Sequence, residues 1–417
     1  MSAGGATEAT AFQLTADAAV LLFENGQTTE RTVEGARRVA TALGFEADVF
    51  LRWGEVLIRL ESGEAGSTER VIAAAPVGVD MGKVAATLDT IERLSRGELD
   101  ALAAHTALRA VAHRPPISDT HFALFAAAGA VALSVIFGVI HAVAVVGIAV
   151  SAGAGGYLRR WLGRKSHNPL LQPFAAALLA GVVGSLVLYL WPDEPQRLIA
   201  VCPCMVLVPG PHILNGALDL ARARIALGAA RIGYALLIVL VICAGLLLGL
   251  SLSGVTLPVA GPSVPVPLVF DVLAAGVAVA AYGTFFSMPA RMLPLPILVG
   301  MVAHGARWAA IAIMGVNVEV AALLACLIVG VVVTPLADRM RLPFAAVAFA
   351  SVVALIPGVY VFRMAEGLLR LAVSGAATPP EVIAGTLADG VSAFLITLSM
   401  AFGLILPKVC IERFTRH

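Results

Sequence analysis

Residues 201–224, VCPCMVLVPGPHILNGALDLARAR, begin as an apolar segment, break at Pro209-Gly210-Pro211, and carry Asn215 and Asp219 just after the break. Two prolines remove two backbone N–H donors and leave carbonyls without helical partners, at a cost of about 3 kcal/mol or more in an ordinary helix interior. In hydrocarbon, irregular backbone is tolerated only where it is buried in protein or lines a cavity. The stretch therefore reads as a functional interruption of a membrane segment. The competing reading is a proline kink that serves packing alone.

The surroundings of the stretch are those of a membrane protein. Of 417 residues only 13% are charged, and the mean hydropathy is +0.92, far above that of a soluble domain. From Phe122 onward apolar segments recur, each close to the roughly 20 residues that cross about 30 Å of hydrocarbon. Ten spans are expected, over 121–138, 140–158, 170–190, 198–218, 229–251, 266–286, 294–314, 318–336, 344–365 and 383–406.

Residues 1–115 are different. FQLTADAAVLLFENG and TERTVEGARRVATALG read as amphipathic helices stopped by Gly26 and Gly44. ADVFLRW, GEVLIRLE and ERVIAAAPV read as strands around turn signals at Gly54 and Gly63-Glu64-Ala65-Gly66. Asp80 suits an N-cap for GKVAATLDTIERLSR, and a last helix through LDALAAHTALRAVAH ends at Pro115-Pro116. The expectation is a small α+β domain over 1–115. No apolar run precedes Phe122 and MSAGGATEAT lacks a signal-peptide pattern, so this domain is expected to stay in the cytoplasm.

Net charge is +1 with no basic run, which argues against a nucleic-acid partner. Cys202, Cys204, Cys243, Cys326 and Cys410 all lie in or beside apolar segments, where thiols pack as small hydrophobes. No second Cys or His pair stands at ligand spacing beside Cys202-Pro-Cys204, so neither a metal nor another cofactor is expected.

The break recurs. LVPG ending at Gly210 is matched by LIPG ending at Gly358, 148 residues later; AAGAVA at 127–132 resembles AAGVAV at 274–279, and VVG at 145–147 resembles LVG at 298–300. This points to a duplication, with one five-span repeat over 121–251, a second over 266–406 and a tail over 407–417. A contiguous repeat with an odd number of spans enters the membrane from opposite sides, so the fold class expected is ten transmembrane helices as two inverted five-helix repeats. Placing the N-terminus inside gathers Arg159, Arg160, Arg164, Lys165, Arg222, Arg224, Arg231, Arg291, Arg339, Arg341, Lys408, Arg413 and Arg416 on the cytoplasmic side. The opposite side receives Arg197, the Arg363/Arg370 region and the uncharged linker SLSGVTLPVAGPSVPVP.

Inverted repeats with interrupted helices in corresponding positions are an arrangement of secondary transporters, in which backbone freed at the break coordinates the solute. The candidate substrate-binding residues are then Pro209, Gly210, Asn215 and Asp219 in one half and Pro357, Gly358, Phe362 and Arg363 in the other. Asn215 and Asp219, four apart, share a helix face. Asp219 could hold an ammonium or carry a proton; its bland alternative is a boundary pair with Arg222 or Arg224. Arg363 could fork onto a carboxylate; its alternative is a surface pair with Glu366. Asp271 and His304 join Asp219 as candidates for proton coupling, with His304 and Arg307 on one face and a structural pair as the competing reading. Glu319, Asp338 and Asp389 fall near expected span ends and read as boundary residues.

With these residues in place, the chain resembles the threonine/serine exporter family of bacterial and fungal membrane proteins. The resemblance is carried by LLFENGQTTERTVEGARRVATALG and GVDMGKVAATLDTIERLSRGEL, by VPGPHILNGALDL, and by PARMLPLPILVGMVAHG and LIPGVYVFRMAEGLL. It implies a bacterial inner-membrane exporter of small hydroxy amino acids driven by the proton motive force, with protons and the lipid bilayer as its other partners; homo-oligomerisation is left open. Where the family pattern has tyrosine, this chain has Phe362. Split relatives that resemble the two halves as separate chains are associated with dicarboxylate export, so a dicarboxylate such as succinate is the alternative solute.

Two other classes compete. A membrane enzyme would need catalytic residues in 1–115, which hold no G-x-S-x-G, no H-E-x-x-H, no paired Cys and only His105 and His113. A sensor or scaffold would need the bundle only as an anchor, for which ten spans are excessive. No G-x-x-x-x-G-K-[ST] is present, so ATP is not the expected energy source.

Overall fold

The computed structural model describes residues 7–61, 66–139, 141–166, 168–190, 198–252, 266–340 and 342–415. The turn at 63–65, Arg197, Arg341, Arg416 and residues 253–265 of the linker, all invoked above, lie outside the described residues.

The N-terminal unit opens with α1 (Glu8–Glu24) and α2 (Thr29–Ala42), continues through β1 (Glu46–Arg52), β2 (Gly54–Glu61) and β3 (Ser67–Ala74), and closes with α3 (Met81–Ser95) and α4 (Ala101–Ala112). The strands form one antiparallel sheet in the order β1-β2-β3, with Val49 opposite Ile58 and Leu57 opposite Val71. Val56, Ile58 and Leu60 alternate inward onto Phe12, Ala16 and Phe23 of α1, as period-2 patterning requires. Gly26 and Gly44 take φ of +91° and +88°, the left-handed conformation that ends a helix without a Cβ penalty. The Asp80 carboxylate accepts from Lys83 N–H at 2.9 Å and caps α3 as expected.

The apolar part consists of α5 (Asp119–Ile136), α6 (Ala142–Lys165), α7 (Leu171–Leu190), α8 (Val201–Met205), α9 (Gly210–Ala221), α10 (Ile225–Ser251), α11 (Leu268–Phe285), α12 (Pro294–Ala312), α13 (Val318–Met340), α14 (Phe344–Val352), α15 (Gly358–Ser374) and α16 (Pro380–Thr415). Among the described residues eight helices are long and apolar enough to cross a bilayer, nine if α14 and α15, bent by 65° at their junction, count as one broken span rather than a re-entrant loop. Leu240, Phe270, Val302 and Phe394 stand exposed on these helices. Apolar side chains exposed over whole helix faces belong in lipid, and the chain is a multi-pass membrane protein.

The fourth expected span, 198–218, is not one helix. It is a five-residue helix and a twelve-residue helix separated by Val206–Pro209. The last span is longer than expected, since α16 runs unbroken to Thr415 and buries Lys408. Asp389, expected at a boundary, lies well inside α16 and is buried.

Helix pairs recur along the chain. α5 packs on α6, α6 on α7, and α7 on α10, while α8 touches α5, α6 and α7; likewise α11 packs on α12, α12 on α13, and α13 on α16, while α14 touches α11, α12 and α13. Both long pairings are made close by glycine: a Cβ on Gly181 would meet Leu246 O at 2.5 Å, and one on Gly330 would meet Gly403 O at 2.6 Å. The two sets join where α5 lies against α11.

Candidate functional site

At the first break, α8 ends at Met205 and α9 begins at Gly210, with Pro211 in its first turn. Leu207 N–H donates to Cys204 O at 3.0 Å, and Gly210 N–H turns back to Val208 O at 2.9 Å. Val206 O therefore loses its helical donor to Val208, and Leu207 O loses its own because Pro211 has no N–H. At the second break a 3₁₀ turn, Val353–Leu355, follows α14, and Pro357 precedes α15.

The two breaks meet. A Cβ on Gly210 would fall inside the Phe349 ring of α14, and a Cβ on Gly358 would lie 2.8 Å from Met205 Cγ of α8. Each glycine thus admits a side chain of the helix that precedes the other break. A small cavity of about 50 Å³ is lined from both sides, by Val208, Gly210 and Leu214 and by Ile356 and Pro357, with Thr397 of α16. The Tyr282 hydroxyl donates to Met205 O at 2.7 Å, tying α11 to the end of α8.

The polar residues after the first break are engaged by the N-terminal unit. Asn215 Nδ2 donates to Gly26 O at 3.0 Å, and Thr29 Oγ1 donates to Asp219 Oδ2 at 3.0 Å. Arg231 Nη1 lies 3.1 Å from Asp219 Oδ2 as an ion pair without hydrogen-bond alignment, and Arg224 Nη1 lies 3.4 Å from Oδ1. Asp219 and Arg231 are each only 2% exposed, so their charges depend on one another. Arg222 goes instead to Glu30 of α2 and to Glu412 of α16. Ala223, at φ +59°, makes the tight turn that brings Arg222 and Arg224 back beside α9. The Asp219–Arg224 contact anticipated at a boundary exists, but in a buried network; Asp219–Arg222 does not. A second tie runs from Met81 N–H to Phe286 O at 2.8 Å.

After the second break, Arg363 forks onto Asp389, with Nε at 3.1 Å and Nη2 at 2.5 Å from its oxygens, and stacks 5.1 Å from the Tyr360 ring. The Arg363–Glu366 pair does not form: one turn spaces those side chains, but Glu366 pairs with Arg370, while Asp389 of the packed α16 meets Arg363 with fork geometry. Phe362 is fully buried. Glu319 accepts from Ser392 Oγ at 3.0 Å.

Asp271 and His304, named separately from sequence, are brought together. His304 Nδ1 lies 2.8 Å from Asp271 Oδ2, both side chains are buried, and Nε2 has no partner. Among the described residues no group of three or more His, Cys, Asp or Glu could hold a metal ion. Cys202, Cys204, Cys243 and Cys326 are buried free thiols, whereas Cys410 is exposed because it sits on the outer face of α16.

Sequence reasoning missed the largest feature at the first break. A cavity of about 460 Å³ lies between Val77–Asp80 of the N-terminal unit, the chain at Val206–Pro209, His212 of α9 and Tyr234 of α10, with Arg159 and Arg160 of α6 in its wall. Charge counting alone places Arg159 only among the basic residues of the cytoplasmic side. Its guanidinium carbon lies 5.8 Å and 4.9 Å from the Phe122 and Phe285 ring centroids, and the tandem Arg159-Arg160 was the one visible signal.

Residues 13–253 match a family model for threonine/serine exporters, ThrE, and residues 271–410 match a second, described as threonine/serine exporter, ThrE. No curated protein and no solved structure matches the chain.

Proposed function

We propose that this chain, which belongs to the threonine/serine exporter family, moves threonine, serine or similar small hydroxy amino acids out of the cytoplasm at the expense of the proton motive force. The observation that carries this reading is the reciprocal crossing of the two broken helices, each glycine seated on a side chain of the helix before the other's break. Interrupted helices meeting at one point are how transporters place free backbone at a solute.

The mechanism proposed is alternating access between two inverted halves, α5–α10 and α11–α16. The recurrence of the same helix pairings in both sets supports it. A cytoplasmic N-terminal unit is supported by the basic residues at the end of the bundle where that unit docks, Arg160, Arg222, Arg224 and Arg231 among them. In this cycle Asn215, Asp219, Phe362 and Arg363 move with α9 and α15 and trade their present partners for the solute. The Asp271–His304 pair, with Arg307 nearby, is the proton site of this reading: one imidazole nitrogen is held by Asp271 and the other is buried without a partner. One charge crossing 100 mV yields about 2.3 kcal/mol, nearly 50-fold in concentration ratio.

A second reading, export of a small dicarboxylate such as succinate, is favoured by one feature: the cavity at the first break presents two adjacent guanidinium groups. Proteoliposomes preloaded with labelled threonine or succinate separate the two. Threonine efflux accelerated by a proton gradient is the expected result; efflux no faster than from protein-free liposomes for both solutes would end the transporter reading.

A further inference from the structure

We propose that Arg159 is the carboxylate receptor for the solute in the cavity beside the first break, and that the carbonyls of Val206 and Leu207 receive its ammonium group. The inference rests on the exporter reading and assigns the solute a binding site that the breaks alone do not identify.

Arg159 Nε and Nη1 are buried with no hydrogen-bond partner. A buried guanidinium ordinarily satisfies its fork on a carboxylate or carbonyls, since leaving charged donors unmade is costly. The other charged groups around it are already committed or share its sign. Asp80, in the same cavity wall, caps α3 through Oδ1. Asp119 pairs with Arg164 at 2.6 Å. Arg160 donates Nη2 to Ile117 O at 3.2 Å, lies 4.4 Å from the Phe122 ring, and leaves its own Nε buried and unpartnered. Two cations with three unpartnered donors, and among the described residues no acid at ion-pair distance from either, Asp80 and Asp119 acting on Arg160 only from farther off, make a site for an anion. Phe122 and Phe285, against which Arg159 is stacked, fix the plane of its fork.

The opposite pole is supplied by chain chemistry. Val206 and Leu207 line the same space as Arg159, and theirs are the carbonyls deprived of helical donors by Gly210 and Pro211. An α-amino acid carries its carboxylate and ammonium on one carbon, so one molecule spans a guanidinium and a nearby carbonyl pair. A volume of about 460 Å³ falls within the range of small-molecule sites.

The test is binding to the purified full-length protein by calorimetry, with L-threonine, L-threoninamide and succinate as titrants. Threonine is expected to bind at least about tenfold more tightly than threoninamide, which keeps the ammonium and hydroxyl but lacks the carboxylate. Arg159→Gln is expected to weaken threonine by about 10- to 100-fold, the range of a lost charged hydrogen bond, and to leave threoninamide unchanged. Should Arg159→Gln fail to fold, the wild-type comparison of threonine with threoninamide decides alone: equal affinities overturn the proposal. Unchanged threonine affinity in a folded Arg159→Gln protein also overturns it, while wild-type efflux of threonine would leave the exporter reading standing. Succinate binding that is lost in Arg159→Gln, without threonine binding, would keep the carboxylate site and remove the hydroxy amino-acid reading. No binding of either carboxylate overturns the site.

Discussion

The two breaks share a Leu-x-Pro-Gly pattern but not their surroundings. The first opens onto a cavity of about 460 Å³ capped by the N-terminal unit, and the polar residues after it are held by Gly26 and Thr29. The second is closed inside the bundle, and its arginine is held by Asp389 of α16. The alternating cycle of two inverted halves proposed above calls for such a difference: the first break has about 460 Å³ beside it, and the second only the small shared cavity of about 50 Å³. Among the described residues the N-terminal unit contacts the first break, through Val77–Asp80 and through the ties to Asn215 and Asp219.

The comparison can be sharpened by removing one acid from each half. Asp219→Ala leaves Arg231 buried without its partner and is expected to cost about 3–5 kcal/mol, read as a lowered thermal unfolding midpoint in detergent. Asp389→Ala frees an Arg363 side chain that is 15% exposed, against 2% for Arg231, so a smaller loss of about 1–3 kcal/mol is expected. Equal losses would erase the distinction between the network buried under the N-terminal unit and the less buried Arg363–Asp389 pair.

A methyl group at each glycine probes the crossing itself. Gly210→Ala drives Cβ into the Phe349 ring, an overpacking expected to cost about 1–3 kcal/mol and to slow efflux strongly, with recovery when Phe349→Leu is added. Gly358→Ala meets the flexible Met205 side chain and is expected to cost less. A Gly210→Ala protein as active and stable as the wild type would break the crossing.

The smallest effect is expected from Asn215→Ala. It removes one hydrogen bond to Gly26 O, worth about 1 kcal/mol, and should raise amide exchange of residues 26–30 by about fivefold. Unchanged exchange would mean that the unit is held by its other ties alone.

The local parts of this architecture were legible in the sequence. Alternating Val56, Ile58 and Leu60 fix β2, Asp80 announces a cap, and Pro209-Gly210 and Pro357-Gly358 announce the breaks, because each is dictated by backbone chemistry within a few residues. What could not be read is what lies across space. The partner of Asn215 is 189 residues away, and no spacing rule connects α9 to the turn at Gly26. Arg363 found Asp389 rather than Glu366 because α16 packs beside α15. Arg159 sits at a helix end, where charge counting makes every arginine a boundary marker; only the approach of Phe122 and Phe285 shows that its guanidinium is enclosed.

The central claim is that solute passes where the two broken helices cross, and locking that crossing tests it most directly. Val208→Cys and Ile356→Cys, introduced after replacing the five native cysteines with alanine, place one thiol at each break beside the shared cavity. Joining them with a short cleavable bis-maleimide is expected to stop threonine efflux from proteoliposomes, and cleaving the linker to restore it. Undiminished efflux from fully cross-linked protein would contradict a pathway through the crossing.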